Sequence, residues 1–257
     1  MRPETTGKLY LIGAGPGDPE LLTVKAVRVL RECDVILYDR LVSREILKYA
    51  RADAERVYVG KHQGEQEITQ QAIFELIARH SLAGRTVGRL KGGDPLVFGR
   101  GAEEWAVALE HGIEVELIPG ISSAIAVPGL AGIPLTFRGV SQSFAVITAH
   151  CREGSTEDWS RYANVDTLVV LMGVANRAFL AQSLIAAGRR GDEPAAFIEN
   201  GSLPGQRIVV SSLAGIAEGR IDVCSPAVLV IGDVVNLLSR LAPGPPVQSA
   251  QALEPRP

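Results

Sequence analysis

Cysteine and histidine are scarce in this chain of 257 residues, with three of the first and four of the second. Cys33, Cys151 and Cys224 are odd in number and far apart, with no CxxC spacing. They make neither a disulfide framework nor a zinc site, and they suit a reducing cytoplasm. His62, His80, His111 and His150 show no HxxxH spacing, which argues against a metal centre. Neither sign of charge dominates: the net charge of −3 excludes a general nucleic-acid binder, while leaving room for a local basic site. No apolar run reaches the roughly 18 residues that a membrane span needs. The richest stretch, "PGISSAIAVPGLAGIPLTF", is broken three times by proline. The start, "MRPETTGK", is polar and lacks the apolar core of a signal peptide.

What the chain does have is alternation. "KLYLIGAG", "DVILYD", "RVYVG", "RTVGRL" and "VELIPG" read as strands. Between them lie the helical segments "ELLTVKAVRVLREC", "SREILKYA", "TQQAIFELIARH" and "GAEEWAVALEHG". Short Val-rich runs suit buried strands, and the strand-helix-strand order implies a parallel-type sheet. The pattern pauses near "IPGISS" and resumes with "FAVITAH", "TLVVLMG", "AAFIENG", "RIVVSS" and "PAVLVIG", with helices at "NRAFLAQSLIAAG" and "SLAGIAEG". The expected organisation is two α/β domains, 8–118 and 119–240, joined near Leu117 to Gly120. A flexible N-terminus (1–7) precedes them, and a Pro-rich, disordered tail (241–257) follows. A single large sheet is the alternative.

Two loops carry the chemistry. "LIGAGPGDPELLT" (Leu11 to Thr23) places a glycine-rich turn between a strand and a helix, where a dinucleotide fold keeps its phosphate loop. Gly13 and Gly15 fit GxGxxG, and Asp39 stands where the ribose-binding acid would. The third glycine is missing, and Pro16 has no N–H to offer a phosphate. Asp18, Pro19 and Glu20 read as an N-cap with an acidic first turn, which repels a pyrophosphate. "RLKGGDPLVFGRGAEE" (Arg89 to Glu104) repeats the Gly-Asp-Pro device after another strand. Two acidic, glycine-lined turns at strand ends suit a cationic ligand with hydroxyls, such as adenosine bearing a sulfonium. A tight turn with no ligand is the plain alternative for each.

The motifs "GAGPGDPELLT", "YDRLVS", "VGK", "RLKGGDPLVFGRGAEE", "PGISSA", "GIPLT", "LMG" and "IENG" run in order from Gly13 to Gly201, within a stretch of roughly Lys8 to Leu238. In these motifs the chain resembles the tetrapyrrole methylases, and within them the uroporphyrinogen-III C-methyltransferase branch. The resemblance implies two α/β domains with a cofactor cleft between them, and a homodimer. It implies two successive methylations from S-adenosylmethionine (SAM), converting uroporphyrinogen III to precorrin-2 for sirohaem and cobalamin, with no metal. It assigns cofactor contact to Pro16, Gly92, Gly93, Asp94, Val97, Ser122, Ser123, Met172 and Gly201. It puts proton handling on Asp39 and Lys61, and substrate contact on Arg100 and Glu103. Arg40 and Arg138, with Arg89 and Lys91, would add a basic lining for a substrate bearing eight carboxylates. SAM carries an activated methyl, so the lack of a GxSxG elbow or HExxH agrees with the reading. At 257 residues the chain is expected to be the methylase alone.

The sequence departs from the family pattern at four places: Phe137 where histidine is common, Ala149 where glycine is usual, Phe74 for asparagine and Leu171 for tyrosine. None touches the "GGDP" loop, Asp39 or Lys61. They keep open a related methylase acting on a later corrin intermediate. A nicotinamide-dependent dehydrogenase and a non-catalytic binding protein of similar fold are the remaining rivals.

Overall fold

The computed structural model describes residues 6–60, 69–149, 158–241 and 248–249. The chain divides into two compact units, Met1–Ser122 and Ser123–Pro257.

The first unit is built on five parallel strands: β1 (Lys8–Gly13), β2 (Val35–Tyr38), β3 (Glu55–Tyr58), β4 (Val87–Lys91) and β5 (Glu114–Ile118). Their order in the sheet is β3-β2-β4-β1-β5, so β4 is the central strand. Residues alternate between the two faces with period two. Leu9, Leu11, Val35 and Leu37 pack on one side, against α2 (Gln70–Leu82) and α3 (Gly101–Glu110). Tyr10, Ile12 and Ile36 pack on the other, against α1 (Val24–Leu30). Burial on both faces is what makes "YLIG" of β1 and "VILY" of β2 read as unbroken apolar runs.

The helix expected over "ELLTVKAVRVLREC" is broken in two. Asp18 accepts from the Glu20 N–H and Pro19 opens a single 3-10 turn, Pro19–Leu21. Thr23 Oγ1 then accepts from the Ala26 N–H and starts α1 afresh. The segment "SREILKYA" forms only a 3-10 turn, Ile46–Tyr49.

The second unit differs from the parallel-type sheet expected. Its strands are β6 (Phe144–Thr148), β7 (Thr167–Leu171), β8 (Pro194–Glu199), β9 (Arg207–Ser212), β10 (Ala227–Ile231) and β11 (Gln248–Ser249), in the order β11-β9-β8-β10-β7-β6. β6 and β7 are parallel, while β10 runs antiparallel to both β7 and β8, and β9 antiparallel to β8. The connection between β8 and β9, residues 200–206, is too short for the dozen or so residues of a parallel crossover, so it closes a hairpin. One face of this sheet packs on α5 (Arg177–Ala186) and α6 (Leu213–Ala217). The other packs on α4 (Ser123–Leu130) and on Val234, Val235 and Leu238, the last opening α7 (Leu238–Leu241). Within the tail read as disordered, Gln248 and Ser249 pair in parallel with β9. In the segment read as a flexible start, the Gly7 N–H donates to Ser81 O at 2.7 Å. Among the described residues no helix is long and apolar enough to cross a membrane.

Candidate active site

In the first unit all strands point the same way, so the loops after β1, β2, β4 and β5 share one edge. Pro16 follows β1, Asp39 and Arg40 follow β2, Gly92 to Val97 follow β4, and Ser122 follows β5. Ligands of α/β sheets gather at this edge.

The two Gly-Asp-Pro loops are joined there. Gly15 and Gly93 face each other as an isolated antiparallel bridge. The Gly93 N–H donates to Gly15 O at 2.7 Å, and the Gly15 N–H to Gly93 O at 3.2 Å. Both glycines are left-handed, with φ of 70° and 68°, a conformation that a side chain disfavours. Gly13 and Gly120 close the stack: a Cβ on Gly13 would lie 2.4 Å from the Gly120 Cα. Much of the glycine in these motifs therefore serves backbone meeting backbone. Asp94 ties the same region together. Its Oδ1 accepts from the Leu96 N–H at 2.8 Å, and its Oδ2 accepts from the Gly120 N–H at 3.1 Å. It caps a turn rather than a helix, since α3 begins only at Gly101.

Asp39 sits at the end of β2 with its side chain partly exposed. Its Oδ1 accepts from the Leu41 N–H at 3.1 Å, and Arg89 Nη2 lies 3.5 Å from its Oδ2. Lys61, the other residue expected to handle protons, lies outside the described residues.

Arg89 and Lys91 correct an expectation. They do not line an open basic surface; both are buried in β4, at 3% and 4% exposure. β4 is central and covered on both faces, so any charge on it needs an internal partner. The partner is Glu104 on α3, which the motif reading passed over. Its Oε1 accepts from Arg89 Nε at 3.1 Å, Lys91 Nζ at 3.0 Å and Gln70 Nε2 at 3.1 Å. Its Oε2 is buried with no partner among the described residues, a cost of about 1–3 kcal/mol. Burial holds the Lys91 ammonium below its ordinary value; Arg89 beside it acts in the same direction and Glu104 opposes both. A charged "RLK" inside an otherwise apolar strand was the available signal for such a partner.

Arg100 and Glu103, expected to touch substrate, are exposed and paired with each other. Arg100 Nε donates to Oε1 at 3.0 Å and Nη2 to Oε2 at 2.6 Å. The pairing raises the Arg100 pKa and lowers that of Glu103. Arg100 itself is left-handed, at φ 58°, as is Phe98 at 53°. Arg40 is exposed, and so are Leu41, Leu96 and Phe98; Val97 stands at the margin of exposure.

In the second unit, β8 runs parallel to β6 and β7, because each of β7 and β8 is antiparallel to β10. The C-terminal ends of β6, β7 and β8 thus share an edge, and Ala149, Met172 and Gly201 follow them there. Met172 is half exposed with φ 56°, so it is not core filler. Asn200 and Ser202 beside Gly201 are also left-handed. Gly201 has a packing role, since a Cβ there would meet Val127 Cγ1 of α4 at 2.3 Å. Ser123 opens α4, and Arg138 is exposed in a tight turn where the Phe137 N–H donates to Ser141 O at 3.0 Å. Strained backbone of this kind gathers at functional sites. Among the described residues the five non-glycine residues with positive φ all fall in "PLVFGRG", "LMG" and the loop opened by "ENG". No group of His, Cys, Asp and Glu suited to a metal gathers among the described residues.

An α/β chain with glycine-packed loops at its strand ends belongs with α/β proteins whose ligands gather at that edge. The particular family follows from comparison. The family model for tetrapyrrole (corrin/porphyrin) methylases matches residues 8–217, and the chain belongs to that family. It is 46% identical over 239 residues to a uroporphyrinogen-III C-methyltransferase of Methanocaldococcus jannaschii, covering 91% of this chain and 98% of that one. It is 48% identical over 243 residues to a siroheme synthase of Saccharophagus degradans, covering 93% of this chain but 53% of that protein. The chain thus spans about half the length of that synthase. Among solved structures, uroporphyrin-III C-methyl transferase from Thermus thermophilus, complexed with S-adenyl homocysteine, aligns with a TM-score of 0.81 at 46% identity, over 90% of this chain and 100% of that one.

Proposed function

We propose that this chain is a SAM-dependent C-methyltransferase that converts uroporphyrinogen III to precorrin-2 by two successive methylations, serving sirohaem or cobalamin formation. The observation that carries the proposal is the similarity to the M. jannaschii enzyme over 91% of this chain and 98% of that one, beside this chain's own Asp39 and two Gly-Asp-Pro loops. We further propose that it works in the cytoplasm as a homodimer.

The residues present fit the cofactor. In the first unit Pro16, Gly92, Gly93, Asp94, Val97 and Ser122 offer main chain, small side chains and apolar surface at one strand edge; in the second unit Ser123, Met172 and Gly201 are the residues that the family motifs indicate. The carboxylates among them and beside them favour a cation. Asp94 contributes through the loop it ties to Gly120, and Met172 through its exposed, strained position. When bound, SAM supplies a methyl already activated on its sulfonium, so the chain's own groups need only align, stabilise and move protons.

Methylation of a pyrrole carbon leaves positive charge on the macrocycle, and a proton must depart. Asp39 is suited to stabilise that charge or to accept the proton at Oδ2. Lys61 is the second proton-handling group that the family motif indicates. Substrate carboxylates suit the arginine forks of Arg100, Arg40 and Arg138. The Arg100–Glu103 pair is exposed and worth only about 0–1 kcal/mol, so a substrate carboxylate takes the fork at little cost while Glu103 turns to a pyrrole N–H.

The test is anaerobic incubation with SAM and enzymatically made uroporphyrinogen III, followed by mass spectrometry. Two added methyl groups are expected. No turnover on this substrate, with turnover on a later precorrin, would reassign the chain within its family; Phe137 and Phe74 motivate that control. Light scattering at the elution peak tests the dimer.

A further inference from the structure

The Glu104 cluster is not needed to fill the core. Glu104 is buried on α3, takes three donors on one oxygen and has none on the other among the described residues. Apolar residues of similar volume would pack as well or better than buried charges. An unbalanced buried network next to strand-end loops calls for another explanation.

The explanation lies in where the network leads. Glu104 Oε1 grips Arg89 at Nε, and Arg89 Nη1 donates to Leu90 O at 2.9 Å. Those two bonds set the plane of the guanidinium and aim Nη2 at Asp39 Oδ2, 3.5 Å away. Asp39 Oδ1 is meanwhile held by the Leu41 N–H at 3.1 Å. The carboxylate is therefore oriented from both sides. At 3.5 Å the Arg89 contact is long for a hydrogen bond, so it orients the carboxylate by charge and leaves lone pairs of Oδ2 uncommitted. The geometry points to Glu104 as the positioning residue for Asp39, acting through Arg89. This rests on the reading that Asp39 handles the proton. Lys91 and Gln70 complete the cradle by holding Glu104 itself, and Arg100 and Glu103 are the remaining charged neighbours at the start of α3 among the described residues.

A double-mutant cycle tests it. Asp39→Asn, Glu104→Gln and the double variant are compared with the unsubstituted chain for kcat, for the KM of SAM and for thermal stability, using SAM and uroporphyrinogen III. Asp39→Asn is expected to lower kcat by about 100-fold or more, as loss of a general base does. Glu104→Gln is expected to lower kcat roughly tenfold while the KM of SAM moves less than about twofold. In the Asp39→Asn background the same change should cost less than about twofold, because its target is gone. Equal losses in both backgrounds, or a loss confined to KM, would overturn the inference while leaving the catalytic reading intact. Full kcat in Asp39→Asn would instead remove Asp39 from catalysis, and the inference with it. Absence of methyl transfer by the unsubstituted chain would sink the substrate reading first, and both with it. If Glu104→Gln does not fold, Arg89→Lys enters the same cycle: it keeps the charge but cannot bond Glu104 and reach Asp39 together, so the same non-additivity is expected.

Discussion

Each unit of the molecule buries a carboxylate against an arginine, and the two sites are built in opposite ways. In the second unit, Glu193 receives Arg189 on both oxygens, through Nε at 2.9 Å and through Nη2. The third arm of Arg189 donates to Tyr162 O and Val165 O at 2.7 and 2.8 Å. Both carboxylate oxygens and all three guanidinium nitrogens are used, and the pair ends within the fold, in the connection between α5 and β8. In the first unit, Glu104 has one oxygen crowded and the other without a partner among the described residues, and its network ends at a partly exposed Asp39. A complete pair holds structure, whereas an incomplete one leads to a site.

That contrast can be broken by substitution. Glu193→Ala leaves Arg189 buried without its main partner and should lose about 3–5 kcal/mol in urea unfolding, with methyl transfer per folded molecule unchanged. Glu104→Gln keeps an acceptor for the two cations and should lose less, about 1–3 kcal/mol in the same assay, yet it is the variant that slows turnover. If the ranking of stability and activity reversed between these two, the distinction between the sites would be lost. Gly13→Ala drives a Cβ into Gly120 backbone, which cannot rotate away; about 1–3 kcal/mol of stability should go, together with SAM affinity measured by calorimetry.

The smallest expected effect lies at an exposed network at the edge of the first sheet. Lys25 and Lys8 hold Glu116 with bonds of 2.7 Å each and depress its pKa from 4.5 to about 2. A depressed carboxylate contributes stability above its ordinary value and loses it as pH falls from 4.5 through about 2. Glu116→Gln should flatten the acid limb of stability over that window, by less than about 1 kcal/mol, and the difference should shrink in high salt. An unchanged acid limb would mean that the network contributes nothing.

Much of the fold was legible because strands covered on both faces are apolar wherever no internal partner holds a charge, and "YLIG", "VILY" and "LVVL" are. The strand-end position of Asp39 and of the Gly-Asp-Pro loops followed from the same reading. Strand direction in the second unit was not read, although the short connection after "IENG" contained the signal. The burial of Arg89 and Lys91 was hidden because it depends on β4 being central, which only strand order decides. Glu104 was overlooked for the same reason: its neighbour Glu103 shares the motif, and only helix rotation separates an exposed acid from a buried one. Thr23 went unread as a cap because Asp18, five residues earlier, already supplied a helix start.

The bridge between Gly15 and Gly93 makes the two loops a single part for anyone wishing to transplant this site. Grafting "GAGPGDP" alone onto another α/β scaffold would leave Gly93 without a mate, and grafting "GGDP" alone would strand Gly15. The exchangeable module is the pair, with Gly13 and Gly120 as the spacers that let it close.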